Sequence, residues 1–459
     1  MAAGDSQATA VVVPSHLGML SGVGWRDVPG RPCAVNACVA AMGERGLWRS
    51  RSKGHNALGC PFRNDSRPFR RDRHGRVLLR SFAYTGRGGG GSGIGGRMSR
   101  KPIRIGIVGL GWVATHRHIP SIRCDSRFQI VGVADRNGAL AAEWGRKLGV
   151  PHAVADAVGG IDWMRDADAV DIATAPMSHH ALACDALAAG KHVITEKPFA
   201  MSVEEGRDVI AKAAQEKRVL AIVHNFQFSS AFRKLESDMQ NGVIGPVRAI
   251  VATQWGNPRR RLPVWYDQLP GGLFYDESPH LLYLIKRLSP GALTLQSVDA
   301  CASSRGLRTP ASIDANFRAQ AAHGTIPVTV SCRFESPLSE WHVAVLGERC
   351  AGILDVFRNI YMRLPNDGGH DTWEVLRTSL LSTCSHWWQH LVNGPHHLAG
   401  RLLYGNPTVF QRFADAIESG GEAGGVSGGD ALSVLQMQWE ILERCRPAWD
   451  RQDDAGVMP

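Results

Sequence analysis

At 459 residues the chain is too long for one compact domain and long enough for two or three, and at 44% hydrophobic and 20% charged it can bury a core. Its formal charge of +10 is local: residues 1–97 carry fifteen Lys+Arg against five Asp+Glu, and the remainder balances at 37 of each, so the body has no electrostatic footprint for nucleic acid. No apolar run reaches 18 residues and no basic-then-apolar leader opens the chain, which argues against a membrane-spanning helix and against secretion.

Residues 1–97 show no sustained period and end in the Gly-rich run Gly88–Gly96, so they are read as a disordered extension. The Met98-Ser99-Arg100-Lys101 sequence just before the first strand suggests that this arm is dispensable rather than a nucleic-acid-binding element. From Ile103 a strand–helix alternation begins. Strands are predicted at Ile103–Val108, Phe128–Ala134, Ala169–Ala173, His192–Thr195 and Val219–Asn225, with helices at Asn137–Leu148, Ser178–Ala189 and Ser202–Lys217 between them. That rhythm implies a parallel, doubly wound sheet. After about residue 230 the rhythm changes: helix Ser230–Asn241, strand Val247–Trp255, helix Pro279–Leu288, then the strands Thr294–Ala302, Ile313–Gln320, Thr325–Phe334, Trp341–Leu346 and Gly352–Phe357. Consecutive strands without helices imply a mostly antiparallel sheet. Pro407–Glu418 and Asp430–Arg444 read as closing helices. The expected division is an extension at 1–97, a Rossmann domain at 98–225, a second α/β domain at 226–446 and a polar tail at 447–459. Ten cysteines without a C-x-x-C pair read as reduced thiols of a cytoplasmic protein.

Gly109-Leu110-Gly111-Trp112-Val113-Ala114 is G-x-G-x-x-A between a strand and a helix. Its glycines allow a tight turn and close approach of a pyrophosphate to the helix N-terminus. Asp135, at the end of the second strand, suits a ribose hydroxyl and favours NAD(H), while neighbouring Arg136 leaves NADP(H) open. Glu196-Lys197-Pro198 follows a strand whose C-terminal end faces the ligand crevice, where a lysine can hold a substrate oxygen. Asp276 and His280 are four residues apart and share a face on a helical turn, and a histidine beside a carboxylate is a general-base candidate. Cys384-Ser385-His386-Trp387-Trp388-Gln389-His390 with His396-His397 invites a metal reading. It lacks H-E-x-x-H, no metal is assigned, and Trp387 and Trp388 are read as packing at a domain or subunit interface.

Taken together, Gly109–Ala114, Ala173–His180, Ala188–Pro198, Asn241–Val247 and Pro270–His280 resemble the Gfo/Idh/MocA family over roughly residues 103–446. The resemblance implies a Rossmann domain followed by an open-faced α/β domain, commonly assembled as homodimers or homotetramers. It implies a catalytic set on Lys197, Asp276 and His280. Cofactor contacts are expected from Gly109, Gly111, Trp112, Val113, Ala114, Asp135, Arg136, Thr174, Pro176, His180, Glu196 and Lys197. Four positions depart from the family pattern: Met177 stands for a frequent Asn, Gln227 for Arg, Pro270 for a glycine and Tyr283 for Asp. The implied activity is hydride transfer between a nicotinamide and a carbinol carbon of a sugar or cyclitol. A non-catalytic dinucleotide-binding regulator and a redox-assisted lyase or glycosidase are the alternatives. Gln227, Arg259, Arg260, Arg261, Trp265 and Tyr266 are expected at the substrate, the arginines favouring an anionic sugar.

Overall fold

The computed structural model describes residues 101–150, 153–154, 162–260, 262–322 and 324–449. The extension at 1–97, the tail beyond 449 and Arg261 lie outside the described residues. Six parallel strands form the first sheet: β1 (Ile103–Val108), β2 (Phe128–Ala134), β3 (Ala153–Val154), β4 (Ala169–Ile172), β5 (His192–Thr195) and β6 (Leu220–Ile222). Their order is β3-β2-β1-β4-β5-β6, the doubly wound dinucleotide-binding arrangement. The central strands are apolar on both faces because helices cover both. Ile105, Ile107, Val170, Ile172, Val193 and Ile194 are all buried.

The crossover helices are α1 (Ile119–Arg123), α2 (Gly138–Leu148), α3 (His179–Ala188) and α4 (Val203–Gln215). Their ends follow from local chemistry. Asn137 Oδ1 accepts the Leu140 N–H at the start of α2, which closes on Gly149 at φ 70°. Ser202 Oγ accepts the Glu205 N–H while Glu205 reaches back to the Met201 N–H.

After α5 (Ser230–Gln240), the strand β7 (Val247–Trp255) and the helix α6 (Leu273–Leu288) lead into β8 (Leu293–Cys301), β9 (Ser312–Ala321), β10 (Gly324–Arg333), β11 (Glu340–Gly347), β12 (Cys350–Asp355) and β13 (Ile360–Pro365). The seven strands are ordered β13-β12-β11-β7-β10-β9-β8. Only β7 and β10 run parallel; every other neighbouring pair is antiparallel. Period-2 burial marks one packed face and one open face: Ile313, Ala315, Phe317 and Ala319 of β9 are buried, whereas Asn316, Arg318 and Gln320 are exposed.

The helix α6 begins at Leu273, six residues before the predicted Pro279, and Pro279 lies inside it. A proline there has no N–H for the carbonyl four residues earlier. That carbonyl, Tyr275 O, is satisfied instead by Gln438 Nε2 at 2.7 Å. Three further helices close the chain: α7 (Thr372–Leu398), α8 (Asn406–Ser419) and α9 (Gly428–Trp449). The sequence reading anticipated neither β13 nor α7. It also grouped α8 with the second sheet, whereas Val409, Phe410 and Phe413 share a core with Ile103, Ile105 and Phe128 of the first. Among the described residues no helix is long and apolar enough to cross a membrane, and the cysteines are free thiols.

Phe410 is fully buried, edge-on to both His118 and Phe128. Phe410→Ala is expected to lower unfolding free energy by about 3–5 kcal/mol, read by urea denaturation.

Candidate active site

The turn after β1 sets the geometry at the mouth of the first sheet. Gly109 adopts φ +90°, and a Cβ there would lie 2.7 Å from Ala173 O, so only glycine fits between β1 and β4. A Cβ on Gly111 would meet nothing within 4 Å, which is the open approach that a pyrophosphate needs. Ala114 is fully buried where the helix leaves the sheet, while Trp112 and Val113 stay exposed beside the turn. Asp135 Oδ2 accepts the Leu110 N–H at 2.8 Å and Oδ1 accepts the Asn137 N–H at 2.8 Å, which fixes its carboxylate at the turn. Arg136 is exposed. Thr174 packs against Gly109 and accepts Ser178 Oγ–H at 2.8 Å, and Pro176 is buried at the start of the next turn.

The helical residues after the glycine turn carry an unanticipated charge cluster. His118, fully buried, donates Nδ1–H to Asp171 at 3.0 Å and Nε2–H to Glu196 Oε1 at 2.9 Å. Burial opposes its charge, but Asp171 and Glu196 outweigh burial and lift its pKa to about 10. This imidazolium ties the helix to the ends of β4 and β5 and orients Glu196, whose Oε2 accepts the Lys197 N–H at 3.0 Å.

Lys197, held by a cis Lys197–Pro198 peptide, reaches α6. Its Nζ donates to Asp276 Oδ1 at 2.7 Å and to Asp276 O at 2.8 Å. Burial pulls its pKa down, but the Asp276 and Glu196 carboxylates raise it above the ordinary value, so it stays an ammonium. One turn along α6, His280 is buried and neutral: burial first, then Lys197 and His224, hold its pKa well below 6.5. Its Nδ1 lies 2.9 Å from the Tyr283 hydroxyl, whose oxygen accepts the Phe226 N–H at 3.0 Å. Thus the three residues singled out in the sequence line one buried junction between β5 and α6, and Tyr283 joins them.

Residues 103–224 match the family model described as "Oxidoreductase family, NAD-binding Rossmann fold". Over this domain the chain resembles the Gfo/Idh/MocA oxidoreductases. The "Uncharacterized oxidoreductase YdgJ" of Escherichia coli K12 is 30% identical over 187 residues, 39% of this chain and 51% of that protein. Myo-inositol 2-dehydrogenase of Thermotoga maritima is 27% identical over 178 residues, 39% of this chain and 52% of that protein. The match thus spans about half the length of these curated relatives. The WlbA dehydrogenase of Bordetella pertussis, solved in complex with NADH and UDP-GlcNAcA, shares the fold with a TM-score of 0.57 at 18% identity, covering 75% of this chain and 97% of that one.

Measured against the Gfo/Idh/MocA pattern, several expected contacts sit elsewhere. His180 is committed to Asp208 Oδ2 at 2.7 Å, pairing α3 with α4. Its neighbour His179 is the one beneath the Lys197–Pro198 turn, with Nδ1 2.8 Å from Pro198 O. Gln227 is buried with its amide consumed: Nε2 donates to His224 O and Gly425 O, and Oε1 accepts from Arg287. It braces two backbone segments and offers no free donor to a crevice. Of the arginine run, Arg259 is exposed, while Arg260 turns inward to pair with Glu277, which also accepts from Gln254. Among the described residues, Arg260 Nε is buried without a hydrogen-bond partner. Trp265 and Tyr266 are half-buried against the main core. His386 and His390 stack with ring centres 6.3 Å apart, and among the described residues the trio of metal-type donors within 4.8 Å of one another is His180, Cys184 and Asp208.

The raised pKa of His118 has a defined sign. The contribution is fully present below the unfolded value of about 6.5 and is lost as pH rises through about 10. Wild-type stability should therefore decline between roughly pH 7 and 10 more steeply than that of His118→Gln. The variant itself should be less stable by about 3–5 kcal/mol at pH 7, because two carboxylates lose their buried partner. Denaturation midpoints across that range provide the check.

Proposed function

We propose that this protein is an NAD-dependent dehydrogenase that oxidises a secondary alcohol of a sugar, sugar derivative or cyclitol, or runs the reverse reaction. The observation that carries the reading is the Lys197–Asp276–His280 junction, a charged donor and a neutral imidazole buried together at the C-terminal end of β5. The open approach at Gly111 and the fixed Asp135 fit a dinucleotide, which Gly109–Ala114, Asp135, Thr174 and Pro176 would hold. When bound, the nicotinamide supplies the two-electron acceptor or donor for hydride.

An ammonium has three N–H donors. Two of those on Lys197 go to Asp276, and the third is assigned to the substrate hydroxyl oxygen, where it stabilises developing negative charge. His280 takes the hydroxyl proton on Nε2. For that, Nδ1–H must donate to the Tyr283 oxygen, which can accept it alongside the Phe226 N–H. Tyr283 thereby selects the tautomer in a position where many relatives carry Asp. Asp276 holds the ammonium in place and balances its charge.

Lys197→Ala and His280→Ala should each lower turnover by about a hundredfold or more with NAD binding retained. Tyr283→Phe should lower kcat by about tenfold or more while the KM for cofactor stays put. Near-wild-type turnover in either alanine variant would sink the assignment. For the cofactor, the Asp135 carboxylate repels a 2′-phosphate at close range, so NAD(H) should bind more tightly than NADP(H) in a fluorescence titration. Tighter NADP(H) binding would transfer the role to Arg136.

For the substrate we favour an anionic sugar derivative, with the contact narrowed from the arginine run to Arg260. Its inward side chain and unsatisfied Nε support this reading, and the nucleotide sugar held by the WlbA dehydrogenase is a precedent in the same fold. Burial is the main cause lifting Glu277 to about 7, with Arg260 pulling the other way. Below that pH Glu277 becomes neutral and leaves the Arg260 charge uncompensated. In a screen of sugars, cyclitols and sugar nucleotides, the KM of an anionic substrate should fall between pH 8 and 6. Arg260→Gln should raise KM and abolish that trend, whereas Arg259→Gln should do neither. A neutral polyol as best substrate, or an unchanged KM in Arg260→Gln, would discard the anionic assignment.

A further inference from the structure

The helix α7 is mounted inside out. Its faces are separable by the 100° advance per residue: Thr378, Ser382, Ser385, Gln389 and Asn393 fall on one side, and Trp373, Leu376, Leu380, Trp387 and Leu391 fall opposite. In a surface helix the apolar stripe ordinarily meets the body of the protein. Here the polar stripe does. Gln389 acts as an extra rung on the outermost strand β13: its Oε1 accepts the Tyr361 N–H at 2.9 Å and its Nε2 donates to Tyr361 O at 2.6 Å. Asn393 Nδ2 donates to Asn359 O at 2.8 Å, and Ser382 Oγ lies 3.6 Å from Met362 Sδ. No residue of α7 is buried, and the apolar side faces water, with Trp373 70%, Trp387 60%, Trp388 68% and Leu391 61% exposed.

Rotating the helix by half a turn about its axis would bury this stripe at the cost of the Gln389 and Asn393 hydrogen bonds. The sequence instead places Thr378, Ser382, Ser385, Gln389 and Asn393 along the inner side, so the orientation is written into the chain. We propose that the outer face of α7 is a self-association surface that pairs with α7 of a second copy of this chain across a two-fold axis. Three properties select that occupant. First, the stripe runs the whole helix, about 40 Å at 1.5 Å per residue. Its three tryptophans and five leucines (Leu376, Leu380, Leu381, Leu391 and Leu398) offer on the order of 1,000 Å² per copy, in the range of a stable dimer. Second, the face is depleted of charge: α7 has Arg377 and Glu374 as its only formal charges and no lysine, the composition of a homodimer core. Interfacial membrane helices are instead rich in Lys and Arg on the polar side, and here the polar side is occupied by the sheet edge. Third, the Gln389 and Asn393 anchors present the stripe on a fixed element, so pairing costs little ordering entropy.

The test is sedimentation velocity on the full chain from 0.5 to 100 µM, for wild type and for Leu380→Glu/Leu391→Glu, with circular dichroism confirming that the variant folds. Both leucines are exposed, so the substitutions remove no buried contact within one copy. The expected result is a wild-type dimer or higher even-numbered assembly, and self-association weakened by about a hundredfold or more in the variant. A wild type that stays monomeric at 100 µM overturns the proposal. So does an assembly unchanged by the two glutamates, which would place the contact elsewhere, or a monomer that instead co-sediments with phosphatidylcholine/phosphatidylglycerol vesicles. If the double variant loses its helical signal, Trp388→Gln in the same assay takes its place, with the same two outcomes.

Discussion

Lys197 leaves the last residues of β5 in one sheet and ends on Asp276 of α6, the helix packed under the other. A buried ion pair is costly to desolvate and is retained only where its geometry and remaining hydrogen bonds are complete. Here the ammonium has two acceptors on one residue, the side-chain carboxylate and the carbonyl, both within 2.8 Å. The surroundings hold each end of that contact. On the lysine side, the His118 imidazolium between Asp171 and Glu196 fixes the strand end from which Lys197 projects. On the aspartate side, Thr309 Oγ accepts the Leu273 N–H at the first turn of α6, and Gln438 satisfies the carbonyl that Pro279 leaves open.

The same pair sets the protonation states nearby. Burial disfavours a charge on His280, and the ammonium of Lys197 adds to the effect, so the imidazole is kept neutral and able to accept a proton. With Asp in place of Tyr283, an imidazolium would have a counter-charge; a phenol gives it only a hydrogen bond. The proposed chemistry in this chain therefore leans on Lys197 for charge and on Tyr283 for ring orientation. His224, stacked on Tyr283 with ring centres 4.6 Å apart and held near pKa 3 mainly by burial, closes the apolar side of the junction.

Much of this was legible in the sequence. Apolar runs of strand length alternating with amphipathic helices gave β1, β2, β4 and β5 nearly to the residue, and put the starts of α2 and α4 one residue before Gly138 and Val203. The positions of Lys197, Asp276 and His280 followed from motif and spacing. What escaped has physical reasons. The His118 cluster joins residues 53 and 78 positions apart, which no local period records. Of two adjacent histidines, His179 and His180, the helix phase at the start of α3 decides which turns inward, and that phase is unknown until the helix is placed. Gln227 looked like a crevice residue, yet its amide is consumed by the backbone of His224 and by that of Gly425, 198 residues along the chain from it. The start of α6 was hidden by Pro279, whose missing hydrogen bond is supplied from α9. For α7, the usual rule that apolar means inward would have oriented the helix the wrong way round.

A double-mutant cycle between Lys197→Met and Asp276→Asn, read as unfolding free energy, tests the central contact without needing a substrate. Each single change strands a buried partner, whereas the double change leaves none. The account predicts that the double variant is more stable than the summed single effects allow, by about 2 kcal/mol or more. Additive losses would contradict it and show that the two side chains are not joined in the folded protein.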